Sequence, residues 1–323
     1  MAQFPSIINS GSLIFAPKDV APVAQGELVF FTSLQRLYYI CACLTTWTSA
    51  NAMNVGGECI RGTGTQTAAL AFGGYRPPLV PSPYISNCTE EYDGTSWTAG
   101  GAMITARRNH GADGTQVASF AAGGCSPTLL NNTEEYDGST WTAGGALITA
   151  RFSLGGSGTQ NAGLVFGGST PAVTSDTEEY DGSAWASGGS LPATTSCPGA
   201  AGTQNAGLAV GGTPANTNCV LHYDGAAWSA GTNIPVGHPY DMRVAGLQTA
   251  ALAHATGRCT QTYDGSAWTT VGFSGTSGAG GDNAGTTSAA VSFGGSPSAV
   301  YTCTCEYATS NPLAGVSVLV RCA

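Results

Sequence analysis

Residues 133–146 read TEEYDGSTWTAGGA, and nearly the same phrase stands at 89–102 (TEEYDGTSWTAGGA) and at 177–190 (TEEYDGSAWASGGS). A phrase repeated at a regular interval marks an architecture of identical supersecondary units. Trp recurs at 47, 97, 141, 185, 228 and 268, at intervals of 40 to 50 residues. Tyr92, Tyr136, Tyr180, Tyr223 and Tyr263 each precede a Trp by five residues, always as Tyr-Asp-Gly-x-x-Trp, giving the pairs with Trp97, Trp141, Trp185, Trp228 and Trp268. A second phrase alternates with the first: GTQTAALAFGG at 64–74, GTQVASFAAGG at 114–124, GTQNAGLVFGG at 158–168, GTQNAGLAVGG at 202–212, a degenerate GLQTAALAHATG at 246–257 and GTTSAAVSFGG at 285–295.

Each unit therefore predicts four short strands: one leading into the Gly-Thr-Gln turn (106–113 in the second unit), a small apolar strand ending in a Gly pair, the Tyr strand, and the Trp strand. Asp-Gly supplies the turn between the last two, since Gly tolerates the positive φ that tight turns require. A two-residue loop at 138–139 or a four-residue loop at 137–140 sets Tyr136 opposite Trp141, and cross-strand aromatic pairs contribute about 0.2–1 kcal/mol each. The fold class expected is all-β, a six-bladed propeller over 37–323 preceded by a short N-terminal anchoring segment over 1–36. Two closures of the ring are open: the strand around Trp47, or the alternating segment at 313–322 (LAGVSVLVRC).

Composition agrees with a folded repeat. The chain has 323 residues with 47 Gly, 10 Lys plus Arg and a charged fraction of 9%, against about 25% in an ordinary soluble domain. Its surface is expected to be Thr, Ser, Asn and Gly. A net charge of −9 and a pI near 4.7 argue against nucleic-acid binding, which needs a phosphate-neutralising surface. No apolar stretch approaches the ~18 residues of a membrane span, and the first twenty residues lack the basic and apolar regions of a secretory signal.

The small apolar strand ending in Gly-Gly, the Tyr about a dozen residues on and the Trp five after it resemble the kelch repeat of β-propellers, over about 56–307. The segment 22–47 (PVAQGELVFFTSLQRLYYICACLTTW) resembles strand segments at the start of bacteriophage fibre and virion appendage proteins. Together these resemblances imply a non-enzymatic virion structural protein, a decoration or host-attachment module at the virion surface, assembled in the host cytoplasm. The partners implied are other virion proteins or further copies of this chain, with a host surface glycan or receptor as ligand; no cofactor or metal is called for.

Chemistry-bearing residues were weighed against that reading. Kelch-like propellers include copper oxidases resembling galactose oxidase, which need two His, two Tyr and a Cys cross-linked to Tyr. Here the four His are His110, His222, His238 and His254; His110 and His238 fall near equivalent first strands, where they could line the channel. The repeated carboxylates Glu90/Glu91, Glu134/Glu135 and Glu178/Glu179 have the look of a glycosidase pair, but neighbours on a strand face opposite sides, and a solvated strand edge is expected. Cys88, Cys219, Cys259 and Cys303 share one register, four before the Tyr. Cys59 and Cys197 share another, five before the Gly-Thr-Gln turn. Bridges Cys59–Cys88 and Cys197–Cys219 would have to span a middle strand, about 9.6 Å in a flat sheet and beyond disulfide reach, so partly buried thiols are expected. Sequence variation concentrates in the loops after the Gly pairs, and variable loops on a repeated scaffold carry recognition. The longest, 75–87 with four prolines, makes Tyr75, Arg76 and Tyr84 the candidate binding residues.

Overall fold

A computed structural model describes residues 13–15, 28–31, 36–39, 46–76, 84–214, 218–236, 242–254, 259–273, 280–295 and 302–308. Among the described residues there is no helix. Six four-stranded antiparallel sheets form the blades. Blade one is Arg61–Thr65, Ala68–Phe72, Thr89–Tyr92 and Trp97–Ala99. Blade two is Gly111–Thr115, Ala118–Ala122, Thr133–Tyr136 and Trp141–Ala143. Blade three follows with Gly155–Thr159, Ala162–Phe166, Thr177–Tyr180 and Trp185–Ser187, and blade four with Gly199–Thr203, Ala206–Val210, Val220–Tyr223 and Trp228–Ala230. Blade five is Arg243–Leu247, Ala250–His254, Cys259–Tyr263 and Trp268–Phe273.

Blade six takes three strands from the C-terminal part, Asp282–Gly285, Ala289–Phe293 and Thr304–Ala308, and its outer strand, Thr46–Ala50, from the N-terminal part. Tyr307 stands directly opposite Trp47, in the register that Tyr136 and Trp141 occupy in blade two. Trp47 therefore closes the ring, and the segment at 313–322 lies outside the described residues. Each inner strand packs against that of the next blade, and the sixth against the first, so the fold is a six-bladed β-propeller. Closure leaves no open sheet edge between first and last blade. Near the N-terminus, Leu13–Phe15 pairs in parallel with Leu28–Phe31, which pairs antiparallel with Arg36–Tyr39.

The hairpin between the Tyr and Trp strands is the four-residue form. Asp137 N–H donates to Thr140 O, and Asp137 Oδ1 accepts from the Ser139 and Thr140 amides. Those bonds pull the Asp137 carboxyl down to about 2, and Gly138 takes a φ of 90°. The first strand of each unit is shorter than expected: in blade two it begins at Gly111 rather than 106. Asn109 turns the chain with a φ of 54°, and Arg107 dives beneath the surface to Glu134.

The apolar core lies between blades, in six clusters. Between blades one and two, for example, Leu70, Phe72, Met103, Tyr136 and Trp141 are buried together. Trp141 meets Tyr136 at 5.0 Å between ring centroids and Phe72 of the preceding blade at 4.9 Å.

Hydrogen bonds lace the same junctions, and the tryptophan, glutamine and tyrosine hooks reach back one blade. Trp141 Nε1 donates to Thr89 Oγ1, Trp185 to Thr133 and Trp228 to Thr177, all at 2.9 Å. Gln116, Gln160, Gln204 and Gln248 donate to the carbonyls of Tyr92, Tyr136, Tyr180 and Tyr223. Gly144–Gly145 makes room for one more hook, the Tyr180 hydroxyl under the Gly145 amide. A Cβ on Gly145 would lie 2.1 Å from Ser183 O.

Candidate functional site

The repeated carboxylates are not a solvated edge. Glu90, Glu134 and Glu178 are buried. Glu134 accepts from the Ile104 and Thr105 amides and from Arg107 at 2.5 Å. Glu178 does the same with the amides of Ile148 and Thr149 and with Arg151. Their neighbours on the opposite strand face, Glu91, Glu135 and Glu179, accept the hydroxyls of Tyr136, Tyr180 and Tyr223 from the following blade, while Glu306 accepts from Tyr92 across the closure. Burial, together with these carboxylates, pushes the phenols of Tyr136, Tyr180 and Tyr223 up to about 12. Alternation along the strand was read correctly; both faces are interior because each is covered by a neighbouring blade. These pairs are joints of the ring.

The histidine expectation changes likewise. His110 does not line the channel: it is fully buried, 5.4 Å from the Phe72 ring. Burial, with Arg107 and Arg61 nearby, holds its pKa well below the usual imidazole value, so it is neutral. His222 replaces a joint carboxylate, its Nε2 sharing a hydrogen bond with Tyr263 Oη at 3.0 Å. His254 is buried edge-on to Trp47, and His238 lies outside the described residues. Cys59, Cys88, Cys197 and Cys219 are half-buried free thiols.

In blades one to five an antiparallel meander puts the Gly-Thr-Gln turn (Gly-Leu-Gln in blade five) and the Asp-Gly turn at one end of the blade and the remaining connections at the other; blade six keeps its first turn, Gly-Thr-Thr, at the same end as those turns. On this second, loop face, Tyr75 and Tyr84 meet edge to face with centroids 5.9 Å apart, and both are half-buried. Tyr84 holds a φ of 63°, a conformation that costs a bulky residue about 1–3 kcal/mol and is therefore held by its surroundings. Arg76 is fully buried instead of presented. Its Nε donates to Gly73 O and its Nη1 lies 3.9 Å from Glu90, so it does for blade one what Arg107 and Arg151 do for blades two and three. The exposed part of this cluster gains a different cation: the Arg108 guanidinium lies 5.1 Å over the Tyr75 ring. The doubled Arg107-Arg108, where blade three has Arg151 followed by Phe152, was the sequence signal for it.

The mouth of the channel on the loop face is ringed by backbone. Cys59 N–H donates to Gly280 O, Asn109 to Cys59, Ser153 to Asn109 and Cys197 to Ser153. All five residues have positive φ, between 54° and 77°. Inside, a cavity of about 410 Å3 is walled largely by glycine backbone and carries Arg61, Asp113 and Asp282. Asp113 accepts from the amides of Gly114 and, in the next blade, Gly158. Burial, with a contribution from the Asp282 charge, raises its pKa to about 7. Asp282 accepts from the Gly62 amide and lies 4.0 Å from Arg61; burial raises its pKa too. The two acids occupy different registers of their strands, so the repeat did not flag them.

No family model and no curated protein matches this chain. Its function is therefore argued from geometry. Among the described residues no group of three or more His, Cys, Asp or Glu is placed to hold a metal, and no helix is long and apolar enough to cross a membrane.

Proposed function

We propose that this chain is a non-enzymatic attachment module: a kelch-type propeller at a virion surface, fixed through residues 1–36 to other virion proteins or to copies of itself, and offering its loop face to a host surface glycan or receptor. The observation carrying this reading is where the polar side chains are spent. Six of the repeated carboxylates, the Arg partners of three of them and the junction glutamines are engaged in joining blade to blade. What varies from unit to unit is the set of loops after the Gly pairs, with Tyr75 and Tyr84 on the longest and Arg108, from the segment leading into blade two, over the Tyr75 ring. Aromatic faces beside a guanidinium suit a sugar or peptide ligand. Deleting residues 1–36, which spares the closing strand, is expected to leave a folded ring that no longer joins particles; continued incorporation would refute the anchoring role.

One observation favours a second reading, a glycan-processing enzyme. Asp113 is half protonated near neutral pH beside a second carboxyl in the channel, as a general acid requires. Turnover of host polysaccharide by purified protein, lost in Asp113→Asn, would replace the attachment reading; measurable oxidation after copper loading would do so by another route.

A further inference from the structure

Among the described residues, five of the six blade junctions carry a glutamine hook, and the sixth does not. Gln66, Gln116, Gln160, Gln204 and Gln248 each reach a Tyr carbonyl of the preceding blade at 2.7–3.0 Å, and the last four also reach a carbonyl of its second strand, for example Gln248 to Gly207. The corresponding position of blade six is Thr287, whose side chain is too short to span the gap. The carbonyls of Ala251 and Tyr263 in blade five, equivalent to those of Gly207 and Tyr223, therefore receive no glutamine amide. The joint carboxylate is missing from the same junction, because Thr262 stands where Glu91, Glu135, Glu179 and Glu306 stand elsewhere. A cavity of about 380 Å3 opens there, lined by Thr249, Thr262, Tyr263, Asp264, Thr287 and Tyr307 among others.

We propose that this slot, on the turn face between blades five and six, binds a neutral acetamido sugar. A ligand there must supply the N–H donor that glutamine supplies at the other junctions, which an acetamido group does. The remaining wall suits a sugar ring: the hydroxyls of Thr249, Thr262, Thr269 and Thr287 for its hydroxyl groups, Ala250 and Val271 for its C–H surface, and the Asp264 carboxylate as a further acceptor. Backbone amides of Ser266 and Ala267 hold Asp264 ionised, below the usual carboxylate range, which disfavours acidic sugars by like-charge repulsion. The volume falls within the range of small-ligand sites, about 300–1,000 Å3. This inference holds or fails independently of whether the loop face is the attachment surface.

The test is a titration of the full chain, labelled with 15N, followed by amide chemical shifts. N-acetylglucosamine is expected to move the Thr262 and Thr287 amides saturably. Glucose, which lacks the amide donor, should bind about five- to tenfold more weakly, the effect of one hydrogen bond, and glucuronate should not bind. Thr287→Gln restores the intramolecular hook and is expected to abolish the shifts while keeping the fold. Thr262→Glu, which restores the carboxylate, should do the same and serves if the first variant is unstable. Absence of shifts in the unmodified chain, equal affinity for glucose, or undiminished binding in a folded variant would overturn the proposal.

Discussion

The junction between blades two and three and the junction between blades five and six are built from equivalent strands but joined differently. At the first, Trp185 hooks Thr133, Gln160 hooks the Tyr136 carbonyl, and Tyr180 hooks Glu135. At the second, the indole bond is kept, from Trp47 to Thr260, and Ser292 meets Arg243 and His254 of blade five; Thr287 and Thr262 replace the glutamine and the glutamate, and His254 takes the place of an apolar ring partner beside the Trp. The aromatic contact and its indole bond are common to both. The other hooks govern how tightly a blade is held and whether the junction is filled by protein.

That contrast can be broken most severely at the tryptophans. Trp141→Ala is expected to cost about 3–5 kcal/mol, because its ring is buried against Phe72. Trp268→Ala should cost less, because Trp268 is only partly buried and its Nε1 bonds the Thr232 carbonyl instead of a threonine hydroxyl. Denaturant midpoints that moved equally would remove the distinction.

Next in size is the buried ion pair. Glu134→Leu strands the Arg107 guanidinium and should cost about 3–5 kcal/mol, whereas the double change with Arg107→Met should recover most of it; a thermodynamic cycle on the two sites reads this directly. Gln160→Ala removes two amide donations at a laced junction, an expected loss of about 1–2 kcal/mol, while Thr287→Gln should raise the thermal midpoint instead. A Thr287→Gln protein that melts lower would show that the open junction is not missing a hook.

The smallest effect sharpens the comparison through pH. Asp113 spans blades two and three by accepting the Gly158 amide, and its folded pKa of about 7 lies above the unfolded value of about 4. A folded state that holds the proton more tightly is favoured at low pH. The Asp113 contribution to stability is thus full below about pH 4, declines as pH rises through the window to about 7, and is absent above it. Asp113→Asn should flatten that part of the stability profile; an unchanged slope would place the titration elsewhere.

How much of this was legible differs from residue to residue. Tyr-Asp-Gly-x-x-Trp specified its own hairpin, since the turn chemistry and the pairing lie within six residues, whereas Trp47, a Trp strand without a Tyr strand, pointed to one of two closures and the pairing with Tyr307 decided between them. The Glu pairs were misread because strand alternation gives two faces but not what covers each, and in a ring of blades both are covered. Arg76 was unreadable for a related reason. The cation beside the buried Glu enters from the segment before the blade as Arg107 and Arg151 do, but from the loop after the Gly pair in blade one, so no fixed offset reveals it. Arg108 and Asp113 interrupt the repeat at single positions, and a period finds what recurs.

The tryptophan, glutamine and tyrosine hooks reach in one direction, from each blade to the one before it. In the language of assemblies this is a heterologous, head-to-tail interface, with a donor surface and an acceptor surface that are different and complementary. Such interfaces set no limit on the number of units; a rotation that closes makes a ring, and one that does not makes a filament. Here the limit is covalent, because Thr46–Ala50 is tied to the start of blade one and seated on the end of blade six. A chain deprived of that strand would keep the blade-one hooks on blade six, from Trp97 to Thr304, Gln66 to the Tyr307 carbonyl and Tyr92 to Glu306, but would lose the shared sheet, so the closing interface would be held by side chains alone, like any interface between separate chains.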